Sequence, residues 1–319
     1  MPLRTLTAGE SHGPALLAIL EGMPAGLKID TDAINHQMTR RQQGYGAGPR
    51  MKMESDTAEI MSGVLEGKTI GAPIGMRILN KNHSQWQGKE TSPMTAPRPG
   101  HADIAGVVKY GYNDLRPSLE RASARETAAR VAVGALCQQF LGEFGIQVGG
   151  YVKSIGTVDA ELSSEMNLAL RAKLAEESEV RCPDTESAQK MVDAIKATMQ
   201  AKDTLGGVLE IFVTGLPVGL GSHVQWDRRL EARLGAAVLS VQAMKGVEIG
   251  SAFENARARG TEVQDQIYLE GESLVRKTNR AGGLEGGMTN GEPLIIRAAM
   301  KPIASTLTPQ KTVDLVTGE

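Results

Sequence analysis

A chain of 319 residues, 41% of them hydrophobic, can bury a substantial core as one large domain or two ordinary ones. Its 35 Lys and Arg nearly balance 37 Asp and Glu, giving a formal net charge of -2. No global field therefore draws it to nucleic acid or to an anionic membrane, and any anion site must be local.

The N-terminal stretch "MPLRTLTAGES" lacks the basic segment and long apolar core of a secretory signal, and no apolar run is long enough to span a bilayer. Next comes "LTAGESHGPA", which crowds Glu10, Ser11 and His12 into a turn ahead of the apolar strand "ALLAILEG" at 15–22. The segment "LLAILEGMPAGL" at 16–27 is echoed without a gap by "LEIFVTGLPVGL" at 209–220, with Gly22, Pro24 and Gly26 matching Gly215, Pro217 and Gly219. After the first copy, "DTDAINHQMTRR" places Ile34 and Met38 at helical spacing. After the second, "WDRRLEARLGAAVLSVQAM" repeats apolar positions at three and four. The echo points to a duplicated strand-turn-helix plan.

Strands are expected near 57–63, 73–80, 147–156 and 292–300, the last apolar enough to be largely buried. "SARE" has capping-box spacing, so the strongest helix is expected to start at Ser123 and run to about Phe144, with Gly145 as its stop. The charged stretch 160–203 reads as a peripheral helical insertion. Alternating strands and helices with Gly-rich connections indicate an α/β or α+β layered fold. Cys137 and Cys182, the two thiols, show neither metal-knuckle nor disulfide spacing, which suits a reducing cytoplasm.

Guanidinium groups gather in Gly- and Pro-bearing loops. "TRRQQGYGAGPRMK" holds Arg40, Arg41 and Arg50, "PRPGHAD" holds Arg98 beside His101, and "LERASARETAAR" holds Arg121 and Arg125. Arg binds carboxylates or phosphate bidentately, and a helix N-terminus adds backbone donors, so these loops suit an anionic ligand. Of the five histidines, His12 and His101 sit in polar Gly-containing turns where an imidazole could exchange protons. His36 and His223 read as structural. Taken singly, Arg41 could be a cation at a helix end, "SARE" a simple cap, and either His a satisfied turn residue. "NRAGGLEGGMTNGE" at 279–292 could let a flat or phosphorylated cofactor approach, but neither dinucleotide nor P-loop fingerprint is present, which weighs against a nicotinamide dehydrogenase. Glu10, His12, His101 and Asp103 lack helical ligand spacing, so no metal is expected.

The motifs "TAGESHGPALLAILEGMPAGL", "RRQQGYG", "RPGHAD", "LERASARETAARVAVGA", "GLPVGLGSHVQWD", "GGLEGGMTNGEP" and "KPIAST" occur in that order, and the chain closely resembles the chorismate synthase family. The resemblance implies a single family domain over residues 1–319 with an α+β layered β-α-β sandwich. It implies a lyase that converts 5-enolpyruvylshikimate 3-phosphate to chorismate and phosphate by trans elimination, in the shikimate pathway. Reduced FMN is the implied cofactor, with NADPH or an external flavin reductase as the source of reduction. A homotetramer is implied as well, while the balanced charge and the lack of a signal or spanning run give the expectation of a cytoplasmic protein with no nucleic-acid or membrane partner.

By motif, His12 is similar to the histidine that protonates departing phosphate, with Ser11 hydrogen-bonding beside it, and His101 to the one that protonates the reduced flavin. Arg41, Arg50, Arg98 and Arg125 resemble the substrate's anion clamp. Arg121, Ala122, Ser123, Gln242, Ala243, Gly286, Lys301, Pro302, Ile303, Ala304 and Ser305 match the FMN contacts. Ala122 stands where many members have a second Ser, and Ala47 where many have another Arg. The family's C-terminal segment, with its Arg and Asp, lies beyond "VDLVTGE". A non-catalytic binder of a phosphorylated carboxylate is therefore the alternative reading.

Overall fold

The computed structural model describes residues 3–46, 55–89, 92–163 and 165–319. They fall into two compact units, one running to Phe140 and including Ala304–Glu319, the other Leu141–Ile303.

In the first unit, β1 (Arg4–Ala8), β2 (Ala15–Glu21), β3 (Glu59–Ile60) and β6 (Ile74–Leu79) form an antiparallel sheet in the order β1-β2-β6-β3, and β4 (Val64–Leu65) and β5 (Lys68–Thr69) form a separate hairpin. Alternation along β2 buries Leu16, Ala18 and Leu20 and turns Leu17 and Ile19 outward. The buried side meets Ile34 and Met38 of α1 (Thr31–Gln42) and Ala128, Ala132 and Leu136 of α4 (Thr127–Gly142). Asp30 caps α1 by accepting from the amides of Asp32 at 2.9 Å and Ala33 at 3.0 Å. Between them in sequence lie α2 (Asp103–Tyr110) and α3 (Arg116–Ala122).

The second unit builds a five-stranded antiparallel sheet, β10-β15-β9-β7-β8, from β7 (Gln147–Ile155), β8 (Val158–Asp159), β9 (Gly207–Thr214), β10 (Met244–Ile249) and β15 (Leu294–Met300). Leu294 and Ile296 pack with Leu230, Leu234 and Val238 of α7 (Leu230–Leu239), while Tyr151, Phe212 and Ile295 pack with α5 (Leu168–Glu177). Ile295 points opposite to its neighbours, so the two helices cover opposite faces. The stretch 160–203 holds α5 and α6 (Thr185–Gln200), capped by Asn167 and Asp184. A hairpin, β11 (Ile267–Glu270) with β12 (Ser273–Arg276), follows two helical turns, α8 (Ala252–Asn255) and α9 (Gly260–Val263).

The duplicated plan extends well beyond the echo read in the sequence. Strand, strand, turn, helix, strand, hairpin and strand recur in that order, with β1-β2-β6-β3 answered by β7-β9-β15-β10 and the β4–β5 hairpin by β13 (Leu284–Glu285) and β14 (Met288–Thr289). Thr69 Oγ1 donates to Pro24 O at 2.6 Å and accepts from Leu27 N at 2.9 Å. Thr289 Oγ1 does the same with Pro217 O and Leu220 N at the same two distances. Gly63 and Gly283 open the two hairpins, each with φ +82°, and a Cβ on either would lie 2.6 Å from the carbonyl oxygen of Pro73 or Pro293.

Two expected elements differ in extent. The strand expected over 57–63 pairs only at Glu59–Ile60, because Gly63 turns the chain into its hairpin. The helix expected from Ser123 starts as a 3-10 turn over Ala124–Glu126 and becomes α-helical at Thr127. Ser123 caps by accepting from Arg125 N at 3.2 Å, but the Glu126 carboxylate serves Thr7 and Arg130. Gly145, in left-handed conformation at φ +72°, closes the helix's C-terminal end as expected.

Candidate active site

The loop joining β1 to β2 is fastened to α3 and to the start of α4. Ser11 is buried and accepts from Ser123 Oγ at 3.0 Å, while its amide donates to Glu120 O at 3.2 Å. The Glu120 carboxylate receives the His12 amide at 2.7 Å and His12 Nδ1 at 2.6 Å. The His12 ring lies against Trp86, with centroids 4.7 Å apart, and His83 Nδ1 donates to the His12 carbonyl at 2.9 Å. Asn80, the residue after β6, holds the same loop by donating to Gly13 O at 2.8 Å and Glu10 O at 3.1 Å.

Asn80 also accepts from Arg125 Nε at 2.8 Å, which ties the loop to a buried ionic cluster. Arg125 Nη1 donates to Asp56 Oδ2 at 2.7 Å, and Arg41 Nη1 reaches the same oxygen at 3.3 Å. Asp56 is shielded from solvent, so two cations hold one anion where water cannot screen them. Among the described residues its second oxygen, Oδ1, has no hydrogen-bond partner. Arg41 is further fixed by Thr127 Oγ1 at 3.0 Å. Arg121 donates to Thr7 O at 2.8 Å and to Thr7 Oγ1 at 3.0 Å, and Ala122 ends α3 beside it. Ser11, His12, Arg41, Arg121, Ser123 and Arg125 are thus brought together.

His101 belongs to a second network. Its Nδ1 donates to Pro99 O at 3.2 Å, so in the neutral ring Nε2 accepts from Ser305 Oγ at 3.0 Å. Ala304 precedes Ser305 and accepts from Thr306 N at 3.2 Å. Arg98 forks onto Asp103 at 2.9 and 3.0 Å. Burial alone would raise the Asp103 carboxyl, but the Arg98 hydrogen bonds and charge outweigh it and hold the group below its usual value. The expected clamp residue Arg98 is therefore engaged by the carboxylate that begins α2.

In the second unit, Lys301 N donates to Ala243 O at 3.0 Å, which joins Gln242 and Ala243 to Lys301, Pro302 and Ile303 at one end of the β10–β15 pair. Ala243 has φ +68°, a left-handed conformation that a residue with a side chain rarely adopts. Gly286, at φ +60°, forms the tip of the β13–β14 hairpin. Arg50 and Ala47 lie outside the described residues. Among the described residues no group of three or more His, Cys, Asp or Glu could hold a metal ion, and no helix is long and apolar enough to cross a membrane.

A sequence model of the family described as Chorismate synthase matches residues 3–319. The chain belongs to the chorismate synthase family. The Syntrophotalea carbinolica protein named Chorismate synthase is 54% identical, over 99% of this chain and 84% of its own length. The Chlorobaculum parvum protein of that name is 51% identical, over 99% and 82%. A solved structure titled Crystal Structure of Chorismate Synthase superposes with a TM-score of 0.83 at 46% identity, covering 95% of this chain and 85% of the other. Membership makes the chain a carbon–oxygen lyase of the shikimate pathway with an α+β fold, and it does not favour the non-catalytic binder.

Sequence reasoning missed Glu120, Asp56 and Asn80, which orient the chorismate synthase motif residues, and weighed Asp103 only as a metal ligand. Glu120 and Asp103 carried a usable signal, since each lies a few residues from a motif Arg or His. Asp56 and Asn80 carried none, because they meet Arg125 only through the fold.

Proposed function

We propose that this chain eliminates phosphate from 5-enolpyruvylshikimate 3-phosphate to give chorismate, with the loop carrying Ser11 and His12 as its acid–base centre. The observation that carries the reading is the convergence of Ser11, His12, Arg41 and Arg125 on one hydrogen-bonded network in a nearly neutral protein. In the reaction the allylic C–O bond to phosphate breaks and a proton leaves the opposite face of the ring. His12 gives a proton to the departing phosphate oxygen, and Ser11 hydrogen-bonds beside it. Arg41 and Arg125, with Arg50 and Arg98, supply the cations for the phosphate and two carboxylates. His101, fixed by Pro99 and Ser305, holds and moves a second proton.

Reduced FMN, the cofactor of the family, fits the donors at the Ala243–Lys301 end of the second unit. There a strained Ala243 backbone, the Lys301 ammonium and the exposed apolar surface of Ile303 suit a phosphorylated aromatic ring system. Gln242 and Pro302 adjoin that pair in the chain, and Gly286, at the tip of the β13–β14 hairpin, with Arg121, Ala122, Ser123, Ala304 and Ser305, is proposed as an FMN contact from the motif match alone. Bound reduced FMN would lend electron density to the breaking allylic bond without net oxidation. We take NADPH or an external flavin reductase as the electron source and a cytoplasmic homotetramer as the working form. Leu6, Leu17 and Ile19, exposed on one sheet, support self-association.

Anaerobic turnover with photoreduced FMN tests the reading. His12→Ala is expected to lower chorismate formation by about 10²- to 10⁴-fold while flavin binding persists. Unchanged turnover would remove His12 from the mechanism.

A further inference from the structure

We infer that Glu120 is the positioning residue for His12: it selects the ring tautomer and aims Nε2 at the departing group. The inference rests on the reading of His12 as proton donor. Glu120 takes two hydrogen bonds from the same residue, the His12 amide on Oε2 at 2.7 Å and Nδ1 on Oε1 at 2.6 Å. An ionised carboxylate only accepts, so Nδ1 carries a hydrogen and the neutral ring presents Nε2 as its basic nitrogen. With Oε1 and Oε2 divided between ring and backbone, rotation of the imidazole breaks one of two charge-assisted bonds.

The dyad has independent supports. The Glu120 carbonyl accepts from Ser11 N at 3.2 Å, so α3 grips two successive residues of the loop. Trp86 packs against the ring with planes tilted by 49°, and His83 holds the carbonyl of His12. The ring and the carboxylate are 22% and 15% exposed, so solvent competes little for their hydrogen bond. Glu120 itself exchanges no proton with substrate. It accepts the Nδ1 hydrogen before and after Nε2 has given its own away, as the third member of a nucleophile–base–orienter set does elsewhere.

The test combines a spectroscopic readout on the chain alone with kinetics of the complete enzyme. In protein with 15N-labelled histidine, the neutral His12 ring should resonate as the Nδ1–H tautomer, and Glu120→Ala should convert it to the Nε2–H form. In anaerobic assays with photoreduced FMN, Glu120→Ala should lower kcat by about 10- to 100-fold, with KM for 5-enolpyruvylshikimate 3-phosphate and flavin affinity nearly unchanged. Glu120→Asp should recover part of that loss. In a His12→Ala background, Glu120→Ala should cost nothing further. Should Glu120→Ala fail to fold, Glu120→Gln, which keeps an oxygen acceptor without the charge, takes its place with a smaller expected fall. An Nε2–H ring in the unsubstituted protein, or an equal kcat loss with and without His12, overturns the inference. If His12→Ala alone leaves turnover intact, the assignment of His12 fails instead.

Discussion

The two repeated sheets place different chemistry on the same register. Across β1, β2, β6 and β3 the aligned row reads Ala8, Leu17, Arg77, Glu59, and across β7, β9, β15 and β10 it reads Tyr151, Glu210, Arg297, Glu248. The Arg–Glu pair is common to both. In the first sheet it is an exposed pair at 2.6 Å, whereas in the second Arg297 bridges Glu248 at 3.1 Å and the buried Glu210 at 2.8 Å, and Tyr151 donates its hydroxyl to Glu210. Burial first, then Glu210, pushes the Tyr151 phenol far above its ordinary value. The connection between the first two strands differs more. Residues 9–14 make it in the first unit and carry Ser11 and His12, while residues 156–206 make it in the second and carry α5 and α6. One scaffold thus spends the connection on a polar loop in one copy and on helices that cover a sheet face in the other.

The strongest way to break this comparison is to remove one member of an ion pair built on a buried carboxylate. Asp56→Ala takes away the carboxylate on which Arg41 and Arg125 converge, and Arg297→Ala takes the cation from between two carboxylates. Each should cost about 3–5 kcal/mol in denaturant titration, the usual result of breaking a buried pair from one side. Hydrogen exchange should locate the loss in the unit that carries the substitution. A cost below about 1 kcal/mol for either would mean that its ions are already solvated.

A smaller and more discriminating effect is expected at the repeated threonines. Thr69 and Thr289 are both buried, and each links a Pro carbonyl to a Leu amide with the same geometry. Thr69→Val and Thr289→Val should each cost about 1–3 kcal/mol through the amide and carbonyl left unpaired. Equal costs would show one device used twice, and a clear inequality would show that the surroundings of the two hairpins have diverged.

This hairpin repeat illustrates what the sequence could disclose. The echo of 16–27 in 209–220 was legible because it sits on apolar strands and shares Gly and Pro at fixed offsets. "GVLEGKTIGAPIGMRIL" at 63–79 and "GLEGGMTNGEPLIIRAA" at 283–299 align equally well, but what they share is Gly, Thr, Pro and one Arg, turn and register residues that no hydrophobic period marks. The site divides in the same way. Ser11, His12, Arg98, His101 and Arg125 stood out within compact motifs, whereas Asp56 and Asn80 reach Arg125 only because β6 and the start of α4 are packed together. Composition and spacing report local chemistry. Which charge neutralises which is decided by tertiary contact.

The smallest expected effect sharpens the comparison most. Arg77 and Glu59 have the same register as Arg297 and Glu248, and their hydrogen bond is the shorter, so distance alone would rank the first pair as the stronger. Solvent reverses that ranking. Arg77 and Glu59 are 38% and 53% exposed, so water screens their attraction and restraining two long side chains offsets most of the remainder. Arg77→Ala should therefore change stability by no more than about 1 kcal/mol, and that difference should shrink further in molar salt. Arg297→Ala should keep its full cost at the same ionic strength, because ions cannot enter the space around Glu210. A salt-resistant loss at Arg77 would indicate that this sheet face is covered in solution, as it would be if a second copy of the chain lay on Leu17 and Ile19.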